Sequence, residues 1–162
     1  MNRKAFTVAE ANLLLPKMEA VLSDIGHRID RIQCTAERLQ VLDVIWGTAI
    51  LVEDNPDYQE AQNFRARITM LMGEIETIVD REIRARGICF PSGGLEYGLI
   101  DFPTIWQGRW VYLCWRQGEP SIVGWHETDE GFAGRHELTF EQIRMMGQEF
   151  NPLGDPDLPW AS

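Results

Sequence analysis

The sequence predicts an α+β protein, a long antiparallel helical hairpin packed on a small antiparallel β-sheet. Two observations carry this. Up to Gly87 the apolar residues recur with the period of a helix, and after it they alternate with the period of a strand. A turn signal at residues 53–57 divides the helical half, and so short a connection makes its two helices antiparallel neighbours. The predicted divisions are a coiled-coil-like helical hairpin over residues 1–87, a small antiparallel β segment packed with it over 88–138, and a short helix with an extended tail over 139–162.

Thr7 and Glu10 form a T-x-x-E capping box, which satisfies free N–H groups at a helix start. Pro16 removes one helical hydrogen bond and predicts a kink, or a short first turn separate from the main rod. Met18, Ile25, Ile32, Leu39 and Trp46 then recur every seventh residue, with Leu22, Ile29 and Ala36 four residues after the first three and Ile50 four after Trp46. The helix is expected to run to about residue 51. Asp57 is a candidate N-cap for a second helix, whose seam is Phe64, Ile68, Leu71, Ile75, Ile78 and Ala85. A lone hairpin leaves Val21, Leu42, Val44, Leu51, Met70 and Val79 uncovered, so a sheet or a second copy of the chain is expected over them.

Beyond Gly87, strands are expected at residues 88–90, 99–102, 109–116 and 121–127. Gly118-Glu119 suits a two-residue turn. That turn sets Arg116 opposite Ser121, Cys114 opposite Val123, Tyr112 opposite Trp125 and Trp110 opposite Glu127. One face then carries Trp110, Tyr112, Cys114, Arg116, Val123, Trp125 and Glu127, and the other Val111, Leu113, Trp115, Ile122 and His126. A bulge in the turn swaps the parity of one strand and undoes this sorting. Thr139 and Gln142 form a second capping box, opening a short helix before Gly147. Trp160 is the one residue expected to dock the proline-rich tail.

Composition excludes several function classes. A net charge of −10 argues against a phosphate backbone and against anionic membrane surfaces as partners. No window approaches 18 apolar residues, and Glu10 stands where a signal peptide is apolar. Cys34, Cys89 and Cys114 are odd in number, scattered and without a CxxC, as expected of free thiols in a reducing cytoplasm.

Residues 98–138 concentrate the chemistry: Trp106, Trp110, Trp115 and Trp125 stand among Arg109, Arg116, Arg135, His126 and His136. One reading is a recognition pocket, in which Arg116 and Arg135 grip a carboxylate or phosphate while Tyr112 and Trp125 wall it and His126 stands by. The plainer reading is a tryptophan core with Arg116 salt-bridged to Glu127 or Glu119. Residues 129–135 hold two glycines whose positive φ would build an anion-binding nest with Arg135 behind it, or else form an ordered connection pinned by Phe132. Cys114, His126, Glu127 and Asp129 lack the spacing of a metal site, and no cofactor motif is present, so neither metal nor cofactor is expected. In the register above Cys114 and His126 point to opposite faces, which excludes them as nucleophile and base.

FTVAEANLLLP, GLIDFP, VYLCWRQGEP and WHETDEGFAGR together resemble the uncharacterised prokaryotic family known as domain of unknown function 2203, over roughly residues 5–138. The resemblance implies a helical hairpin followed by a small β segment in cytoplasmic proteins, and it implies no activity, cofactor or catalytic residue. The function expected is a non-catalytic binding or scaffold module that self-associates through its helices and holds a protein partner or a small anionic ligand. The alternative is a small-molecule enzyme with an anionic substrate among Arg116, His126 and Arg135, using Glu119 or Asp129 as acid or base.

Overall fold

The structure, a computed structural model, describes residues 3–148. Its elements are α1 (Val8–Trp46), α2 (Tyr58–Ile78), α3 (Gly94–Tyr97), β1 (Leu99–Trp106), β2 (Arg109–Arg116), β3 (Gly124–Glu127), β4 (His136–Glu137) and α4 (Phe140–Met145). The four strands form one antiparallel sheet in the order β1-β2-β3-β4. Two compact units divide the chain. One is Ser23–Glu82, and the other takes the chain up to Leu22 and from Ile83 onward.

The helical unit is an antiparallel hairpin. Arg28 pairs with Glu74 and Asp43 with Arg65, so partners converge on the turn as two opposed helices require. Leu42, Ile50 and Ala61 are packed together near the turn, with Leu39, Trp46 and Phe64 around them. Asp57 precedes α2, but its carboxylate caps no helical N–H. It accepts instead from the Trp46 indole N–H at 2.8 Å and so ties the turn shut. The first helix ends at Trp46, and a 3-10 turn from Gly47 to Leu51 follows. Within the seam, Thr35 is buried where Ala36 was expected, and Thr35 satisfies its hydroxyl on the Arg31 carbonyl at 2.7 Å. Ala85 is exposed, because the helical repeat gives way to a π turn at Val79–Ile83 and a 3-10 turn at Arg84–Arg86.

In the other unit the opening capping box is present in both directions. The Thr7 hydroxyl accepts from the Glu10 N–H, and the Glu10 carboxylate accepts from the Thr7 N–H, each at 3.1 Å. The helix assignment runs unbroken through Pro16, so no separate first turn exists. β1 is longer than expected and does not stop at Pro103. Its odd residues turn their backbone outward. Asp101 exchanges both bonds with Cys89, the Pro103 carbonyl accepts from Phe6 and the Ile105 carbonyl accepts from Gly147. Pro103 therefore sits where its missing N–H breaks no bond to β2. Residues 88–90 make only the single bridge at Cys89 rather than a strand.

The expected register of β2 and β3 is off by one residue. Tyr112 stands opposite His126, Leu113 opposite Trp125, Cys114 opposite Gly124 and Val111 opposite Glu127. The connection over residues 117–123 is too long for a two-residue turn, and its chain is diverted by outside bonds. The Gly118 N–H donates to Glu19 and the Ile122 N–H to Asn12. A shift of one flips every side chain of β3. His126 moves to the face that carries Asp101, Tyr112, Cys114 and Arg116, and Trp125 moves to the face of Val111, Leu113 and Trp115. The second capping box, on Thr139 and Gln142, is complete and opens α4. The tail with Trp160 lies outside the described residues.

Candidate functional site

The face carrying Asp101, Tyr112, Cys114, Arg116 and His126 is flanked by two segments, residues 89–92 beside the β1 edge and residues 129–133 after β3. Two cavities lie between them. One, of about 380 Å³, is lined by Tyr97, Leu99, Arg116, Phe132 and Ala133. The other, of about 420 Å³, is lined by Cys89, Asp101, Tyr112, His126, Asp129 and Glu130. Both include Pro91, Ser92 and Gly131, so they adjoin and form one cleft.

His126 and Asp101 make the floor of the second cavity. Their side chains are 2% and 5% exposed. His126 Nε2 stands 3.1 Å from Asp101 Oδ1, and Nδ1 stands 2.7 Å from the Glu127 carbonyl oxygen. A carbonyl only accepts, so Nδ1 carries a proton. A carboxylate opposite Nε2 favours a second. Burial opposes the charge, but the bonds to Asp101 and to the Glu127 carbonyl outweigh it and raise the imidazole above its ordinary 6.5. The floor is thus a buried His126–Asp101 pair in which both ring nitrogens face oxygen acceptors. The Tyr112 ring lies 5.4 Å from the imidazole, and its hydroxyl accepts from Arg3 at 2.8 Å.

The new register puts Cys114 and His126 on the same face, against expectation. Burial and the neighbouring Asp101 charge nonetheless push the Cys114 thiol up to about 12, so it is no nucleophile at neutral pH. Burial raises the Cys89 thiol as well. These two cysteines flank Asp101 in one row of the sheet. Two strand spacings of about 4.8 Å separate them, beyond the reach of a disulfide. Among the described residues no three His, Cys, Asp or Glu side chains converge as a metal site requires.

Of the five expected site residues, the structure gathers three. Arg116, Tyr112 and His126 line the cleft. Trp125 is on the reverse face, 4.9 Å from the His136 ring. Arg135 is on the right face but occupied. Its guanidinium grips both oxygens of Glu119, at 2.6 and 3.1 Å, and stacks 4.2 Å over Phe132. Its stem crosses Gly124, where a Cβ would stand 2.8 Å from Arg135 Cδ. No anion nest forms in residues 129–135. Neither Gly131 nor Gly134 has positive φ, and the N–H groups of Glu130, Gly134 and Arg135 already bond within the loop. The segment is an ordered connection in which Phe132 is half-buried.

The expected salt bridges of Arg116 are absent as well. Glu127 is taken by Arg109, and Glu119 by Arg135. Glu119 also accepts from the Arg116 backbone N–H at 3.0 Å, and its own carbonyl accepts from the Trp115 indole at 2.9 Å. The Arg116 guanidinium itself makes no hydrogen bond or ion pair among the described residues. Sequence reasoning missed Asp101, Tyr97 and Pro91 as parts of the site. Asp101 did carry a signal, because a carboxylate inside the apolar run GLIDFP is rarely buried without a partner.

A family model described as an uncharacterized conserved protein, DUF2203, matches residues 4–138. The chain belongs to this family. Every cleft residue lies inside the DUF2203 match, and α4 lies beyond it. No curated protein and no solved structure matches the chain.

Proposed function

We propose that this DUF2203 protein is a non-catalytic binding module that holds a small anionic ligand in the cleft, with Arg116 as the anchor. The observation that carries this reading is the state of the arginines. Arg109 and Arg135 are each neutralised by a glutamate, while Arg116, between them in sequence, presents an unpaired guanidinium to a cavity walled by Tyr97, Phe132 and Pro91. A guanidinium fork beside apolar walls is the usual means of orienting a carboxylate or phosphate. The alternative, an enzyme acting on such a ligand, has less support. Both nitrogens of His126 face acceptors, Glu119 is held by Arg135, and both nearby thiols are protonated at neutral pH, which leaves Asp129 as the one candidate acid or base of that reading at the cleft. The test is a thermal-shift panel of carboxylates and phosphates on the wild type and on Arg116→Gln. Stabilisation by a panel member that the variant loses upholds the reading, and equal stabilisation of both overturns it.

The module also self-associates through its hairpin in this reading. Val44 is 79% exposed, and Val41, Ile45, Leu51, Val52, Met70 and Met72 are exposed with it. Such an apolar run on one helical unit favours a second copy as cover. Val21, Leu42 and Val79, which a lone hairpin was expected to leave uncovered, are buried within the chain. No helix is long and apolar enough to cross a membrane among the described residues. Three free thiols, Cys34, Cys89 and Cys114, favour the cytoplasm.

A further inference from the structure

The cleft has two ends of opposite character. Among the residues lining it, five carry a charged group or an imidazole: Arg116, Asp101, His126, Asp129 and Glu130. Asp101 and His126 are hydrogen-bonded to each other. The Glu130 carboxylate accepts from the Glu127 N–H at 3.3 Å and from His136 at 3.2 Å. Among the lining residues that leaves one cation without a hydrogen bond or ion pair, Arg116, in the first cavity and one such anion, Asp129, in the second, while the Arg3 guanidinium, outside the lining, donates to the Tyr112 hydroxyl. Between them lie the surfaces shared by both cavities, Pro91, Ser92 and Gly131, with the Tyr97 and Phe132 rings beside Arg116. Each cavity is near the small end of ligand pockets, about 300–1,000 Å³, so an occupant of both is a few groups long rather than a large polymer.

We infer that the cleft takes a small zwitterion, a molecule with a carboxylate at one end, an ammonium at the other and an apolar or aromatic body between. The carboxylate meets the Arg116 guanidinium and the ammonium meets the Asp129 carboxylate. A free hydrophobic dipeptide has this chemistry. A simple anion fills only the Arg116 end and leaves Asp129 without a counter-charge, and a polyanion is repelled by Asp129 and Glu130. This inference deepens the proposed function and rests on it, since both need the anion at Arg116.

The experiment is calorimetric titration of the whole chain with a panel of aromatic dipeptides in three forms: unmodified, N-acetylated and C-amidated. Unmodified members are expected to bind, and each blocked form to bind about tenfold or more weakly. Arg116→Gln is expected to lose the preference against the amide, and Asp129→Asn the preference against the acetyl form. Neither change is expected to shift the melting temperature, because both side chains are exposed. If acetylated members bind as well as unmodified ones and still depend on Arg116, the zwitterion is wrong and the anion reading stands. If amides bind as well as unmodified members, or no member binds at millimolar concentration while simple carboxylates and phosphates also fail, both are wrong. Failure of the dipeptides alone, with simple anions binding through Arg116, overturns the zwitterion only.

Discussion

Glu119 does more for this site than any residue that touches the cleft, and it does so as scaffold. Its carboxylate holds Arg135 with two bonds and accepts from the Arg116 N–H, while its carbonyl holds the Trp115 indole. Burial raises its pKa, but the bonds from Arg135 and the Arg116 backbone outweigh that and leave it below the ordinary carboxylate value. Glu119→Ala strands a partly buried guanidinium, and we expect a loss of about 2 kcal/mol, below the figure for a fully buried pair because both groups keep some water contact. Urea denaturation measures it. The His126–Asp101 pair predicts a stability that falls as pH rises. A histidine whose folded pKa is raised stabilises fully below the unfolded value near 6.5, and that stability is lost as pH rises through the folded value. The melting temperature of the wild type should therefore fall as pH rises past about 6.5, and Asp101→Asn should flatten that slope. A wild-type profile that rises from pH 6.5 to 8.5 contradicts the pairing. From sequence alone Arg116 and His126 were visible as polar tips beside large rings. Their partners were not, because Asp101 is near in space only through β2, and pairing of Glu119 with Arg135 rather than Arg116 depends on how the connection bends.

At the scale of elements, the signals that proved readable were local ones. Both capping boxes open helices where their residues fall, since each is closed by bonds within four residues. The hairpin was equally clear, its period being sustained over many turns. What failed was register. One residue of difference in the connection after β2 moved His126 into the cleft and Trp125 out of it. The diversion comes from Glu19 and Asn12 of α1, about a hundred residues away in sequence, which no turn rule contains. Gly147 shows a similar long-range constraint. Its φ is +79°, its N–H donates to the Ile105 carbonyl, and a Cβ there would stand 2.3 Å from the Phe6 carbonyl oxygen. Gly147→Ala should therefore detach the end of α4 from the β1 edge, at a cost of about 2 kcal/mol or more. Hydrogen exchange checks it. Faster exchange at Gln142 and Met146 is expected, with β2 unchanged, and protection equal to wild type at those amides refutes the account.

For the whole molecule, charge and surface decide what it associates with. At net charge −10 the chain should show no binding to nucleic acid at physiological salt, and a salt-sensitive gel shift at sub-micromolar protein contradicts this. The exposed apolar run of the hairpin predicts a dimer or larger assembly by light scattering, converted to monomer by Val44→Glu with Ile45→Glu. A monomeric wild type at micromolar concentration rejects that. Net charge and helical periodicity made both expectations legible without coordinates, while the cleft was not, because it is assembled from segments brought together by the sheet. The central claim is that Arg116 is a ligand anchor and not a structural ion pair. Arg116→Lys tests it most directly, since lysine keeps the charge but loses the planar fork. The melting temperature and the binding of the stabilising carboxylate or phosphate should be measured on the same sample. We predict a melting temperature within about 2 °C of wild type and binding weakened about tenfold or more. A large fall in melting temperature with binding retained would assign Arg116 to the scaffold and contradict the account.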